Sequence, residues 1–282
     1  MPELPEVETT VRDLRPHLIG RTITRARVHW PRTVAHPDKR AFTRDIVGHT
    51  ITAITRRGKH LIFHLHPASK TNPARPKTKY LLVHLRMTGS FEFHSPRTPR
   101  SKHAHIVFSL DDGRELRFHD FRKFGRMWLV DDPELIVGKL GPEPLEMSKS
   151  EFIARLRERR GKLKPLLLNQ TFIAGVGNIY ADESLWYARL HPLREAATLT
   201  EAQASALYHA IRRVFRKAIN VGGTSFDANY RRINGASGEY QEKLRVVGRA
   251  GEKCFRDRGI IVKTVVGQRG TYYCPRCQKI RG

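Results

Sequence analysis

Along residues 6–18, Val7, Val11, Leu14 and Leu18 recur at steps of four and three. That spacing puts apolar side chains on one face of an α-helix, and Gly20 stands where it would end. Between residues 22 and 130 the period changes. Short alternating runs at 60–66, 80–85, 105–110, 115–119 and 127–130 carry the two-residue period of half-buried strands, and Asp111-Asp112-Gly113 predicts a hairpin between two of them. Several short strands separated by turns favour a sandwich or barrel over a parallel sheet. The stretch 67–79, with three prolines and three lysines, reads as a surface loop.

Gly141-Pro142-Glu143-Pro144 marks a boundary, after which the period turns helical. Ser148 and Glu151 have capping-box spacing ahead of a helix with Phe152, Ile153 and Leu156 inward. Stretches 163–168, 179–187 and 201–219 are further helices. Thr200 with Gln203 caps the last, and Gly222-Gly223 stops it. From Arg249 onward the character shifts again: this tail holds all three cysteines and nine Lys or Arg, against only Glu252 and Asp257 as acids. There is no internal repeat and no low-complexity segment.

A chain of 282 residues suggests roughly two domains at about 150 residues each. Fifty-two Lys plus Arg against 27 Asp plus Glu gives a net charge of +25. Such an excess repels itself and points to a polyanionic partner. No apolar run approaches the ~18 residues of a membrane span, and the acidic, proline-bearing start MPELPEVE does not read as a signal peptide. An odd number of cysteines argues against a disulfide scaffold and for a reducing compartment. These features describe a soluble, cytoplasmic, nucleic-acid-binding chain with no membrane association.

The tail cysteines have a defined spacing. Cys254 is followed by Asp257, and Cys274 by Cys277, giving the array C-x2-D-x16-C-x2-C. Two tight turns that each present two ligands suit one tetrahedral zinc ion. Aspartate in the fourth place keeps zinc chemically feasible but makes the site harder and weaker than four thiolates. A closed set of four ligands leaves no position for water, so the ion would be structural. The other reading is a small hairpin with three free thiols.

At the other end, removal of Met1 would leave Pro2 with a secondary amine. Terminal amines titrate near 8 and lysine near 10.4, so more of such an amine is an uncharged nucleophile at neutral pH. Attack on a sugar C1′ would form an iminium, an electron sink for β-elimination. Glu3 adjoins it and can shuttle protons.

The opening MPELPEVETTVRDL resembles the formamidopyrimidine-DNA glycosylase family. So do RRGKHLIF (56–63), HLRMTG (84–89), DFRKFG (120–125), NQTFIAGVGNIYADESL (169–185), GGTS (222–225), VVGRAGEKC (246–254) and VGQRGTYYCPRCQ (266–278). They occur in family order across essentially the whole chain. The resemblance implies that Pro2 is the Schiff-base nucleophile, Glu3 the proton donor and acceptor, and Glu6 its support. Lys59 matches the family's catalytic lysine. Met87, Arg122 and Phe124 match a triad that fills the void left by an extruded base, with Arg122 pairing the widowed partner. His84, Lys164, Asn178 and Arg269 match positions that grip phosphates, Asn178 at a helix N-terminus. Arg269 lies in the tail hairpin, so the metal ribbon would aim its guanidinium. Residues 229–240 correspond to a loop that closes over the extruded base. Asp257 departs from the family's fourth cysteine.

The expected fold is α+β: an N-terminal β-sandwich with a flanking helix, a C-terminal helix–two-turn–helix domain, and a zinc-ribbon-like β-hairpin. The boundaries expected are 1–140 for the catalytic sandwich, 141–147 for a linker, 148–245 for the helical DNA-binding domain and 246–282 for the hairpin. DNA would lie in a basic cleft between the two lobes. The implied activity is excision of oxidised purines (8-oxoguanine and formamidopyrimidines) from double-stranded DNA, with lyase nicking at abasic sites by β,δ-elimination, by a monomer. One rival is the endonuclease VIII type, which removes oxidised pyrimidines, although PELPE rather than PEGPE disfavours it. The other is a non-catalytic damage-binding protein.

Overall fold

The computed structural model describes residues 2–68, 78–225 and 232–280. Most of the 67–79 stretch therefore lies outside the described residues. The chain forms two compact units, Met1–Lys139 with Gly222–Gly238, and Leu140–Val221 with Glu239–Gly282.

The first unit opens with α1 (Leu4–Leu18), two residues earlier than the apolar spacing predicts. Glu3 and Glu6 form a reciprocal capping box, with Pro5 in the first turn where no intrahelical N–H is needed. A carboxylate here takes the place of the usual Ser or Thr hydroxyl. Val7, Val11, Leu14 and Leu18 are all fully buried, each contributing about 1.5–3 kcal/mol of burial.

The strands that follow are β1 (Ile23–Val28), β2 (Val34–His36), β3 (His49–Arg57), β4 (His60–Pro67), β5 (Lys79–His84), β6 (Gly89–His94), β7 (Ala104–Leu110), β8 (Glu115–Asp120) and β9 (Arg126–Val130). They form two sheets, ordered β1-β7-β8-β6 and β2-β9-β5-β4-β3. Every pairing is antiparallel except β2 on β9. Phe91, Phe108 and Phe118 of one sheet join Ile54, Phe63, Val83 and Met127 of the other, together with α1, in a single core. Phe91 meets Phe63 and Phe118 edge-on, at 5.8 and 5.3 Å between ring centroids. This is a sandwich.

Two strands evade the alternation rule for a visible reason. The register shifts between Ile23 and Arg25 in β1, and between Ile51 and Ala53 in β3. Each irregularity breaks the two-residue period, so buried Ile51 and Ile54 stand three apart. The region is also not wholly β. Helix α2 (Lys39–Asp45) interrupts it, capped by Asp38, which accepts from the N–H groups of Arg40 and Ala41. Only Phe42 of this helix is buried, too little for a period to register. A single turn, α3 (Glu134–Val137), closes this part of the chain.

The second unit contains α4 (Lys149–Arg157), α5 (Leu163–Leu168), α6 (Asn178–Ala188), α7 (Glu201–Asn220) and a hairpin of β10 (Val262–Val266) and β11 (Arg269–Tyr273). Ser148 caps α4 by accepting from Glu151 N–H at 3.1 Å, and Thr200 with Gln203 makes a complete capping box on α7. Gly222 and Gly223, at φ +76° and +82°, lie just beyond its end. Gln170 holds the two-turn connection between α5 and α6: its amide donates to Leu168 O and Val176 O, and its carbonyl accepts from Gly175 N–H. Tyr180 on α6 packs edge-on against Phe215 of α7. Gly267 and Gln268 both have left-handed φ, the type I′ geometry whose twist suits a two-residue hairpin. The architecture is the expected α+β combination. Among the described residues, no helix is long and apolar enough to cross a membrane.

Candidate functional site

In the first unit the chain start is held by one carboxylate. Pro2 and Glu3 are buried at the N-terminus of α1. Glu6 Oε2 accepts from Glu3 N–H, and Glu6 Oε1 accepts from Thr224 N–H, both at 2.8 Å. The segment 222–225 can approach this closely only because residue 223 has no side chain. A Cβ on Gly223 would stand 2.8 Å from Glu6 Oε1, and its φ of +82° is itself a glycine conformation. Glu6 thus ties the expected nucleophile and proton carrier to a distant stretch of chain. Farther along α1, Asp13 pairs with Arg232 at 2.7 Å. Of the 229–240 loop, residues 229–231 lie outside the described residues.

Lys59 occupies the two-residue turn between β3 and β4, where Arg57 pairs with His60 and Gly58 has φ +56°. The turn is tethered to α1: Arg56 donates to Gly58 O at 3.0 Å and to Glu8 at 3.1 Å. Burial works against ionisation of Glu8, yet hydrogen bonds from Arg12 and Arg56 and their charges hold its carboxyl below the usual range. Lys59 is buried, with 7% of its surface exposed.

Next to Lys59, His60 sits opposite His84 in the β4–β5 ladder, their rings meeting edge-on at 4.8 Å. Burial, then neighbouring positive charge from Arg86 and Lys59, pushes His60 down to about 4. Burial, His60, Arg86 and Lys59 push His84 down to about 2. Both rings are neutral at pH 7. His84 Nδ1 accepts from Arg86 N–H at 3.0 Å, which places the ring proton on Nε2 and makes that nitrogen a neutral donor.

Met87, Arg122 and Phe124 are solvent-exposed, as an inserting wedge requires. They sit on two loops, β5–β6 and β8–β9, and the Arg122 guanidinium lies 4.9 Å over the Phe124 ring. A residue that the spacing of apolar positions does not reveal joins these loops. Asp120 is fully buried, and its carboxylate accepts from Thr88 Oγ1, from Arg122 N–H at 3.2 Å and from Gly125 N–H at 2.6 Å. Thr88 Oγ1 also accepts from Arg122 N–H at 2.9 Å. Arg86 and Lys123, beside Met87 and Phe124, hold left-handed φ values of +57° and +60°. The signal in sequence is an acid at a strand end followed by a glycine five residues later. Phe121, 66% exposed and in tilted ring contact with His103 at 4.6 Å, is a further apolar group on this surface.

In the second unit, Lys164 and Asn178 converge on one carbonyl. Lys164 Nζ donates to Gly270 O and Thr271 Oγ1, each at 2.8 Å, and pairs with Asp182 at 2.7 Å. Asn178 Nδ2 donates to the same Gly270 O at 3.0 Å. Lys164, expected to grip phosphate, has a fully buried side chain whose protons go to protein oxygens. These contacts dock the hairpin at Gly270, the residue just after exposed Arg269. Asp182 assists by accepting from Tyr272 N–H at 2.9 Å. Burial pushes Asp182 up, with Lys164 opposing. The adjacent Glu183 accepts the N–H groups of Arg245, Val246 and Val247, so it anchors the segment leading into the tail. Both acids sit in the apolar run of α6, which is the sequence trace of their buried role.

Cys254, Asp257, Cys274 and Cys277 bring three sulfurs and a carboxylate within 4.8 Å of one another. Asp257 Oδ1 and Oδ2 lie 3.4 and 3.8 Å from Cys274 Sγ. Zn–S near 2.3 Å and Zn–O near 2.1 Å imply tetrahedral edges of about 3.5–3.8 Å, so the set fits zinc. Gly259 leaves the cradle open: a Cβ there would stand 3.0 Å from Cys274 Sγ and 3.2 Å from Asp257 Oδ1. Burial, then the neighbouring sulfurs, pushes the Cys277 thiol up to about 12, an electrostatic demand that a divalent cation meets. Trp186 Nε1 donates to Cys254 Sγ at 3.3 Å and fixes one ligand from outside.

A sandwich carrying a clamped N-terminal turn, a helix–two-turn–helix unit and a ribbon with four ligands define a modular DNA-repair class. Residues 1–127 match the formamidopyrimidine-DNA glycosylase N-terminal domain, 140–229 its H2TH domain, and 251–280 the zinc finger found in FPG and IleRS. The formamidopyrimidine-DNA glycosylase of Protochlamydia amoebophila is 44% identical, over 99% of this chain and all of that protein. The Chloroflexus aurantiacus enzyme is 45% identical, over 99% and 98%. A Lactococcus lactis FPG mutant bound to Fapy-dG-containing DNA superposes with a TM-score of 0.89 at 37% identity, covering 99% of this chain and 100% of that one. MutM with carbocyclic 8-oxo-G-containing DNA gives 0.88 at 37%, with the same coverage. The chain belongs to the formamidopyrimidine-DNA glycosylase family and is a DNA glycosylase.

Two outcomes follow from the site. His60 and His84 titrate near 6.5 when unfolded but lower when folded, so the unfolded state binds more protons as pH drops below 6.5. Stability is then full above about pH 6.5 and falls toward pH 4, by up to about 1.4 kcal/mol per pH unit for each ring. Thermal melts between about pH 4 and 7.5 should show this slope, reduced by one ring's share in His60→Gln; an unchanged slope contradicts burial as its source. Metal analysis of gently purified protein should find about one zinc per chain, and Asp257→Ala should weaken retention about tenfold or more against a chelator. Equal retention would remove Asp257 from the ligand set.

Proposed function

We propose that this chain excises oxidised purines, 8-oxoguanine and formamidopyrimidines, from double-stranded DNA and then nicks the strand at the abasic sugar. The observation that carries the reading is the Glu6 clamp, which presents Pro2 and Glu3 on the end of a rigid helix. Once Met1 is removed, the Pro2 nitrogen loses its proton and attacks C1′ as the C1′–N bond to the base breaks and the departing base takes a proton; the C1′–O4′ bond then breaks, O4′ takes a proton, and the opened sugar is left as an iminium. The resulting iminium draws electrons from the C2′–H bond, so the 3′ phosphate and then the 5′ phosphate leave by β- and δ-elimination. Glu3 carries the protons, and Lys59 adds a cation close to the lesion phosphates.

The positive helix end and buried setting favour this arrangement, because partial charges act more strongly away from water. His84 through Nε2–H, Asn178 through its amide and the start of α6, and Arg269 from the docked hairpin grip the phosphates. Lys164 serves as a positioning residue for Arg269. Met87 and Phe124 fill the void and Arg122 pairs the orphaned base. The zinc ribbon is structural. The family resemblance and the solved relatives bound to Fapy-dG and 8-oxo-G DNA support purine over pyrimidine lesions. The domain division that accompanies this reading is 1–140, 141–147, 148–245 and 246–282, in a cytoplasmic monomer.

Borohydride reduction during turnover of an 8-oxoguanine duplex should yield a covalent protein–DNA adduct, absent in Pro2→Gly, and intact mass should show loss of Met1. A non-catalytic damage binder would give no adduct, and a stronger yield on thymine glycol would favour the pyrimidine branch. Thr88→Val removes the hydroxyl that joins the two wedge loops through Asp120. At about 1.4 kcal/mol for the lost hydrogen bonds, excision of a paired lesion should slow roughly tenfold, with Thr88→Ser close to unmodified protein. Equal rates for both variants would show that the loop clip is idle.

A further inference from the structure

Away from the clamped helix end, the four-stranded sheet of the first unit gathers a second set of metal-ligating groups that the reaction above does not use. In the β6–β8 ladder Ser90 faces His119, Glu92 faces Arg117 and His94 faces Glu115. Alternate residues of a strand share a face, so Glu92 and His94 of β6 project on the same side as His119 of β8. The three converge. Glu92 Oε2 lies 3.1 Å from His94 Nε2 and 3.5 Å from His119 Nε2, and all three donor atoms fall within 4.8 Å of one another. The imidazole rings are 5.6 Å apart, centroid to centroid. His119 Nε2 is buried and makes no hydrogen bond, while Glu92 is half exposed and leaves one side open to water.

We propose that Glu92, His94 and His119 form a binding site for a divalent first-row transition-metal ion such as Zn2+, Co2+ or Ni2+, separate from the cysteine ribbon. Ligands about 2.0–2.2 Å from a common ion are roughly 2.9–3.6 Å from each other, depending on coordination number, and both carboxylate–imidazole distances already fall in that range. Two imidazoles and one carboxylate are the donors that such ions prefer, whereas Ca2+ and Mg2+ call for a shell of oxygens that a single carboxylate does not provide. The facing cation does not compete. Arg117 is held by Glu115 at 2.7 Å and donates to the carbonyls of Ser95, Pro99 and Thr98, which leaves the Glu92 carboxylate to the two histidines.

The ion would link β6, the edge strand of its sheet, to β8. β6 begins at Gly89, immediately after the loop that carries Met87 and Thr88, so the link would stiffen the base of that loop. The simpler arrangement of the same groups is a proton-mediated histidine–glutamate contact with no metal affinity, and the experiment separates the two.

Protein with its ribbon zinc in place and loose metal removed is titrated with Ni2+ alone, followed by calorimetry and by thermal melting. The site predicts one further equivalent, and a melting temperature raised by roughly 5 °C when the free ion stands a hundredfold above its dissociation constant. His94→Gln, Glu92→Gln and His119→Gln should each weaken that equivalent tenfold or more while leaving the ribbon zinc content unchanged. The two more exposed substitutions keep the test valid if His119→Gln disturbs folding. Absence of a second equivalent, or a second equivalent that survives both His94→Gln and Glu92→Gln, overturns the proposal.

Discussion

A single carboxylate joins the beginning of this chain to a segment 218 residues later. Glu6 accepts one backbone N–H from Glu3 and another from Thr224, and the glycine at 223 permits the approach. Both acceptor oxygens are directed at N–H groups, so an amide in the same place would face one donor with another. The site geometry depends on this because Pro2 and Glu3 stand immediately before the first helix. Its position is inherited from α1 and from the turn clamped onto that helix. The burial of Val7, Val11, Leu14 and Leu18 holds the helix body, and the Glu6 contacts hold its end.

The same device recurs through the molecule. In a chain with 52 basic and 27 acidic residues, several of the acids are inside, gripping backbone N–H groups. Asp120 fastens the two loops that carry Met87, Arg122 and Phe124. Asp182 receives the hairpin strand at Tyr272, and Glu183 receives three successive N–H groups at 245–247. A buried carboxylate satisfied by backbone donors is costly to leave unpaired and directional when paired, which makes it a precise spacer. Exposed lysines and arginines meanwhile remain available to a polyanion.

Lys164 shows how similar residue types divide between these roles. By charge alone it belongs with the exposed cations. Its stem is enclosed by the packing of α5, α6 and the hairpin, and once enclosed the ammonium must find oxygens in the protein. Gly270 O, Thr271 Oγ1 and the Asp182 carboxylate supply them. The exposed cation of that turn is Arg269, four ladder positions of β-hairpin away from the far strand end, held by a docking surface as well as by the ribbon.

Read alone, the chain's pattern determined α1, most of the strands of the sandwich, the helices after residue 148 and the ligand spacing of the tail. These rest on local periodicity and capping, which are properties of neighbouring residues. The motifs also single out Pro2, Glu3 and Lys59 as the residues to which the proposed chemistry is assigned, since reactive groups keep their types wherever the fold sets them. Three-dimensional packing decided the remainder. The irregular registers of β1 and β3 erase the alternation that would announce them, and α2 is too short to show a period. Whether Lys164 faces solvent, what Asp120 and Glu183 hold, and that Glu92, His94 and His119 converge are set by contacts between residues remote in sequence. No local rule encodes such contacts, because the same acid or lysine is stable either hydrated outside or paired within, and only the completed fold selects between them.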